Sequence, residues 1–98
     1  MAEPWHVTMS PHNYNSTTIG LACTLQVAAC IPNFLITEYF VNFESVGREI
    51  TNTPFEVHDS YIGLPTAPGL GIELDEAALE RRPLRERTPR RIRQYTDE

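Results

Sequence analysis

The sequence predicts an α/β fold: one strand–helix–strand unit, followed by an irregular extension that carries a short helix. Three observations lead there. Val7-Thr8-Met9-Ser10 is a short extended run stopped by Pro11. The nearly apolar stretch Ile19 to Ile31 has helical length and is closed by Pro32. Asn33 to Phe40 (NFLITEYF) then returns to the aromatic and β-branched residues that favour strands.

Between the first strand and the helix lies a polar loop, His12 to Ser16, in which Asn15 or Ser16 can cap the helix. Thr17 and Thr18 form the first turn, and the helix is expected over Thr17–Cys30. Strand, helix and strand in this order give parallel strands joined by a right-handed crossover. Ile19, Leu21, Ala22, Leu25, Val27, Ala28, Ala29 and Ile31 cover most of the helix circumference, so burial on several sides is expected. Two parallel strands and one helix leave open sheet edges and a bare face. Loose packing around Leu21, Leu25 and Ala28 is therefore expected.

Val41 to Asp59 has no sustained period, and Ile50 to Phe55 reads as extended chain with turns. Ser60 to Ile72 holds Gly63, Pro65, Pro68, Gly69 and Gly71, a series of turn residues. Glu73 to Arg81 is expected to be a short helix with Asp75 as its N-cap. From Arg82 the chain is rich in Arg and Pro and reads as an extended tail. The segments are thus 1–40 (strand–helix–strand), 41–80 (extension) and 81–98 (tail).

Composition narrows the chemistry. The chain has 98 residues, 41% hydrophobic and 21% charged, with a net charge of −5. One domain is the expectation, and the balance carries no nucleic-acid signature. Residues 1–80 hold one Arg against ten acids, whereas residues 81–98 hold seven Arg against three. There is no Lys, so a Lys base, a Schiff base and a P-loop are all excluded within this chain. Cys23 and Cys30 stand two helical turns apart, too far to form a disulfide, and read as small buried hydrophobes. That usage suits a reducing cytoplasm. No signal peptide is legible, and no apolar run is long enough to cross a bilayer.

Two residues are candidates for catalysis. His12 directly follows the first strand, and Glu38 lies near the carboxyl end of the next. Ligands gather at that end of parallel strands, where loops and helix N-termini converge. An imidazole and a carboxylate on neighbouring strands suit general acid–base work. His6 and His58 read as surface residues, and no Cys/His cluster has zinc spacing. Glu73, Asp75 and Glu76 read as a solvated helix start, without a calcium-loop pattern.

The segment SPHNYNSTTIGLACTLQVAACIPNFLITEYF resembles the penultimate strand, its helix and the last strand of the barrel in the mandelate racemase/muconate lactonizing enzymes of the enolase superfamily. Its closest flavour is that of galactonate-type sugar-acid dehydratases. Tyr61 to Pro65 and Pro68 to Asp75 are similar to the stretch by which that family returns to its capping domain. The resemblance implies a fragment of a (β/α)7β barrel, its last βαβ unit. It implies that His12 is a general acid or base and that Glu38 hydrogen-bonds the substrate. It also implies Mg2+ in the full-length family, on three acids that would lie upstream of Met1, so this chain alone would bind none. The Asp that orients the His and the base on the second strand would lie there too.

Two functions follow as expectations. In the first, the chain is the C-terminal part of a sugar-acid dehydratase, inactive alone, which abstracts the proton α to a carboxylate and eliminates water. In the second, it is a non-catalytic subunit or interaction module that pairs with a chain supplying the rest of the barrel. A sugar-acid substrate, and the barrel remainder or a homo-oligomer, are the expected partners. Nucleic acid and membrane are not.

Overall fold

The central element is helix α1, Thr18–Cys30, one residue shorter than its expected span. In the computed structural model, which describes residues 1–86, Thr17 precedes it in extended conformation. The part of the expected tail from residue 87 onward lies outside the described residues. Asn15 has a positive φ of 56°, a left-handed conformation that Asn tolerates better than most residues, and it turns the chain into the helix.

Helix α1 has a clear inner face. Thr18, Leu21, Ala22, Leu25 and Ala28 are buried, at helical spacing. The opposite face, Ile19, Cys23, Val27 and Cys30, is exposed. This corrects two expectations. The helix is buried on one face, not on several sides. Cys23 and Cys30 are exposed free thiols, not buried hydrophobes. Leu21, Leu25 and Ala28 are only 7%, 5% and 7% exposed, so the inner face is shielded from solvent.

The cover for that face comes partly from residues expected to be irregular. A 3-10 turn at Val41–Phe43 runs into helix α2, Glu44–Glu49, which packs against α1. Phe40, Phe43 and Gly47 line one cavity with Leu21. The buried apolar set is small: Leu21, Ala22, Leu25, Ala28, Ile50 and Ala78.

The parallel pairing expected on either side of α1 is present but short. Met9 N–H donates to the Asn33 carbonyl (2.8 Å), Leu35 N–H to Met9 (2.9 Å) and Glu38 N–H to Pro11 (3.2 Å). Met9 and Phe34 form a single parallel bridge, so the expected strands Val7–Ser10 and Asn33–Phe40 reduce to extended segments. Among the described residues no third strand flanks them. Successive strand residues face opposite sides. Leu35 and Ile36 are 64% and 61% exposed, so both sides of the second segment lie bare.

The extension is more ordered than its composition suggests. Strands β1 (Val57–His58) and β2 (Tyr61–Ile62) form an antiparallel hairpin. Asp59 and Ser60 between them both have positive φ, the geometry of a type I′ turn. Thr51 and Leu74 form an antiparallel bridge, and Asp75 N–H donates to the Ile50 carbonyl (2.9 Å). Helix α3, Glu76–Glu80, starts where Asp75 accepts from Ala78 N–H at 2.9 Å, as its N-cap reading anticipates. Arg48 bridges Glu44 and Glu56, and Arg82 pairs with Glu49.

Two predictions follow from this packing. A Cβ on Gly47 would collide with Thr18 Oγ1. Overpacking costs about 1–3 kcal/mol, whereas Gly→Ala inside a helix gains about 1 kcal/mol. Gly47→Ala should therefore lower stability by about 1 kcal/mol in urea denaturation, and adding Thr18→Ala should restore it. Unchanged stability in the single variant would contradict the close approach.

The second concerns acid. Hydrogen bonds from Arg48 and Arg82 hold the Glu56 and Glu49 carboxyls below the ordinary carboxylate range. Their folded values lie below the unfolded ones, so their stabilisation is present above the unfolded value and lost as pH falls through the folded one. The urea midpoint should hold from pH 7 to about 5 and decline below it. The decline should be shallower in Arg48→Ala; identical slopes would refute the assignment.

Candidate functional site

Parallel pairing brings the loop after the first extended segment against the end of the second. Pro11 is the last residue of that ladder, which leaves His12 and Asn13 opposite Thr37 and Glu38. His12 Nδ1 lies 2.7 Å from Glu38 Oε2. The same oxygen accepts the Asn13 backbone N–H at 2.9 Å. Both contacts fall on Oε2, and Oε1 takes neither. With a neutral ring, Nδ1–H is the donor to Glu38, and Nε2 keeps its lone pair.

The two predicted site residues thus come together, and both reach solvent. The His12 side chain is 78% exposed and that of Glu38 40%. An exposed pair of this kind contributes little to stability, at most about 1 kcal/mol. It can still orient an imidazole toward an arriving ligand. His6 and His58 are exposed and stand apart from this pair, as their surface reading anticipates.

Beneath the pair sits a residue whose weight the sequence does not announce. Asn13 is only 3% exposed. Its Nδ2 donates to Thr37 Oγ1 (3.2 Å), and its Oδ1 accepts from Thr24 Oγ1 (3.1 Å). Thr37 Oγ1 in turn donates to the Pro11 carbonyl at 3.3 Å. One amide therefore joins the loop, the middle of α1 and the second extended segment. The signal in the sequence is an Asn beside the candidate His, with two Thr residues at reachable spacing.

Aromatic rings continue the site away from the ion pair. His12 and Tyr14 stack with centroids 6.2 Å apart and 17° between their planes. Tyr14 meets Phe40 at 4.7 Å, and Phe40 meets Phe43 edge-on at 5.0 Å. Phe40 and Phe43 also border a cavity of about 30 Å3 that Asn13 and Thr18 line from the other side. That space holds a water molecule or two. Neither His12 nor Glu38 lines it. Tyr39, also on its wall, has its phenol pushed up by burial, with the Glu44 carboxylate adding to the effect.

Among the described residues, no three His, Cys, Asp or Glu side chains come together as a metal-holding group. No helix among the described residues is long and apolar enough to cross a membrane.

Comparison with known proteins gives this geometry a family. The family model described as Enolase C-terminal domain-like matches residues 1–78. A D-galactonate dehydratase family member of Streptomyces bingchenggensis is 36% identical over 84 residues, covering 85% of this chain and 20% of the relative. A D-xylonate dehydratase of Haloferax volcanii is 31% identical over 80 residues, covering 82% of this chain and 19% of the relative. A solved structure from Burkholderia SAR-1, assigned to the mandelate racemase/muconate lactonizing enzymes, superposes with a TM-score of 0.75 at 39% identity. It covers 82% of this chain and 20% of that one. An enolase of the mandelate racemase subgroup from Agrobacterium tumefaciens reaches 0.71 at 30% identity, covering 83% and 22%. The chain spans about a fifth of the length of the curated relatives it matches.

The aromatic row generates a prediction of its own. Phe40 packs against both Tyr14 and Phe43, and each such pair is worth about 0.5–1.5 kcal/mol beyond the area it buries. Phe40→Leu should cost about 1–2 kcal/mol in chemical denaturation. Tyr61, a 79% exposed ring outside the row, should tolerate Ala within about 0.5 kcal/mol. Equal effects at the two positions would show that the row carries no special weight.

Proposed function

Because the chain belongs to the Enolase C-terminal domain-like family, we propose that it supplies the last βαβ unit of a (β/α)7β barrel in a sugar-acid dehydratase of galactonate-like type. Residues 1–40 would close the barrel, 41–80 would lead toward a capping domain, and 81–98 would form a tail. The observation that carries this reading is the register of the extended segments, which sets His12 Nδ1 2.7 Å from Glu38 Oε2. The names of the two curated relatives support it: one is a D-galactonate dehydratase family member and the other a D-xylonate dehydratase.

In this reading His12 is the general acid–base. The reaction removes the proton α to a carboxylate and expels hydroxide from the β carbon as water. An imidazole whose Nδ1–H is engaged by Glu38 exchanges protons through Nε2, at the solvent side. Glu38 keeps Oε1 to accept from a substrate hydroxyl. The bond from the Asn13 N–H helps hold the carboxylate in place beside the ring.

Mg2+ is the cofactor the family implies, supplying positive charge opposite a developing enediolate. The residues described here do not form a site for it, so its ligands would have to come from other residues, and no step above is routed through it. A cytoplasmic location goes with this reading and with two free thiols.

A second reading rests on a specific surface. The exposed stripe Ile19, Cys23, Val27 and Cys30, together with bare Leu35 and Ile36, suits a subunit that meets its barrel through a separate chain. The two readings share a partner chemistry and differ in whether the partner is covalently attached.

A chimera tests them. The corresponding last fifth of the Streptomyces bingchenggensis relative is replaced by this chain, and the chimera is assayed on sugar acids. We expect turnover by the chimera, none by the chain alone, and a loss of at least about 100-fold in kcat for His12→Asn. Cys23 and Cys30 should react freely with a thiol reagent in the isolated chain and be protected in the chimera. Turnover that is indifferent to His12 would sink the acid–base role. Adding the truncated relative in trans separates the readings: activity on mixing favours the independent subunit.

A further inference from the structure

Two rings of the loop after the first extended segment reach solvent beside each other. His12 and Tyr14 are exposed, and Asn13 between them is buried. Thr24 and Thr37 anchor the Asn13 side chain, so the backbone that carries both rings is tied down. Asn15, with its left-handed backbone, then turns the chain into α1. The proposed reaction uses His12 and leaves Tyr14 without a task.

Tyr14 differs from the other exposed rings. It is 56% exposed, yet Phe40 packs on it at 4.7 Å, and Phe43 braces Phe40 in turn at 5.0 Å. Its plane lies within 17° of the imidazole plane, with the centroids 6.2 Å apart. Among the described residues, Trp5 and Tyr61 are more exposed and pack on no other ring. A ring braced in this way has given up its rotamer freedom before a ligand arrives, so a ligand packing on its open side does not carry that cost.

Reach decides which part of a ligand meets Tyr14. Removal of the α proton and loss of the β hydroxyl place the first carbons of a sugar acid beside His12. At about 1.5 Å per bond, the fifth and sixth carbons of an extended acid lie roughly 4–5 Å beyond the α carbon. The spacing from the imidazole to the phenol ring is of that order. The chemistry agrees with the distance. A phenol hydroxyl both donates to and accepts from polyol hydroxyls, and the ring covers C–H surface.

We propose that Tyr14 is a specificity residue, which contacts the carbons and hydroxyls of a sugar acid beyond its β carbon and so favours five- and six-carbon acids over shorter ones. The proposal rests on the sugar-acid reading of the site. It concerns binding and not proton transfer, so each can fail without the other.

The test uses the chimera described above carrying His12→Asn, which suppresses turnover, and calorimetric titration with D-galactonate and with glycerate. Glycerate has the α carbon and the β hydroxyl and nothing beyond them. Tyr14→Ala should weaken D-galactonate binding about tenfold or more and glycerate binding by less than about twofold. Tyr14→Phe keeps the ring and loses the hydroxyl, and should weaken D-galactonate binding about threefold.

A folded Tyr14→Ala variant that holds D-galactonate as before would overturn the proposal. So would equal weakening of the two acids, or a chimera that binds neither. Where Tyr14→Ala fails to fold, Tyr14→Phe decides, and an unchanged affinity for D-galactonate overturns the contact. Chain-length selection that depends on Tyr14, in a chimera whose turnover is indifferent to His12, would remove the acid–base role and leave this contact standing.

Discussion

The structure depends on a parallel pairing that begins at Met9 and ends at Pro11. Three backbone hydrogen bonds, Met9 to Asn33, Leu35 to Met9 and Glu38 to Pro11, fix the two segments in register. Helix α1 is the crossover that lets the second segment return in the same direction. Given that register, Glu38 must lie beside His12. The tie is short, and it is reinforced by side chains rather than by more ladder. Asn33 Nδ2 bonds the Val7 carbonyl at 2.8 Å, Thr37 bonds Pro11, and Asn13 bonds Thr37. Polar side chains do here the work that neighbouring strands do in a wider sheet.

The same constraint explains an uneven core. The inner face of α1 is buried because α2 and the aromatic residues before it fold back over it. Its outer face is bare, as are both sides of the segment around Leu35 and Ile36. Apolar surface gains free energy by leaving water, so a face this apolar calls for a partner. The reading of the chain as one part of a barrel is in physical terms a statement about that uncovered surface.

Much of this was legible in the residues. Pro11, Pro32 and the apolar run between them mark α1 to within a residue, and Asp75 marks the start of α3. His12 and Glu38 follow from their places after successive strands. The type I′ turn at Asp59–Ser60 was missed, because its strands are two residues long and alternation has no room to show. Helix α2 was missed for a similar reason. Six residues carry too few turns to display a period, and contact with α1 decides its conformation. Cys23 and Cys30 misled because cysteine is usually buried, while exposure on α1 depends on what stands opposite each face. Asn13 does not stand out in the sequence, since its partners Thr24 and Thr37 lie 11 and 24 residues away.

The register of the parallel pair also governs which changes of length the gene can accept. Side chains alternate along an extended segment, so slipping residues 33–38 by one position would turn Glu38 from the rim and present its neighbour instead. A residue inserted in α1 would rotate everything after it by about 100° about the helix axis, and one inserted before Thr24 would carry Thr24 away from Asn13. Insertions and deletions are therefore strongly disfavoured throughout the stretch from Asn13 to Glu38. The turn-rich stretch from Gly63 to Gly71 carries none of the bonds that hold the rim, and natural variation in chain length should collect there.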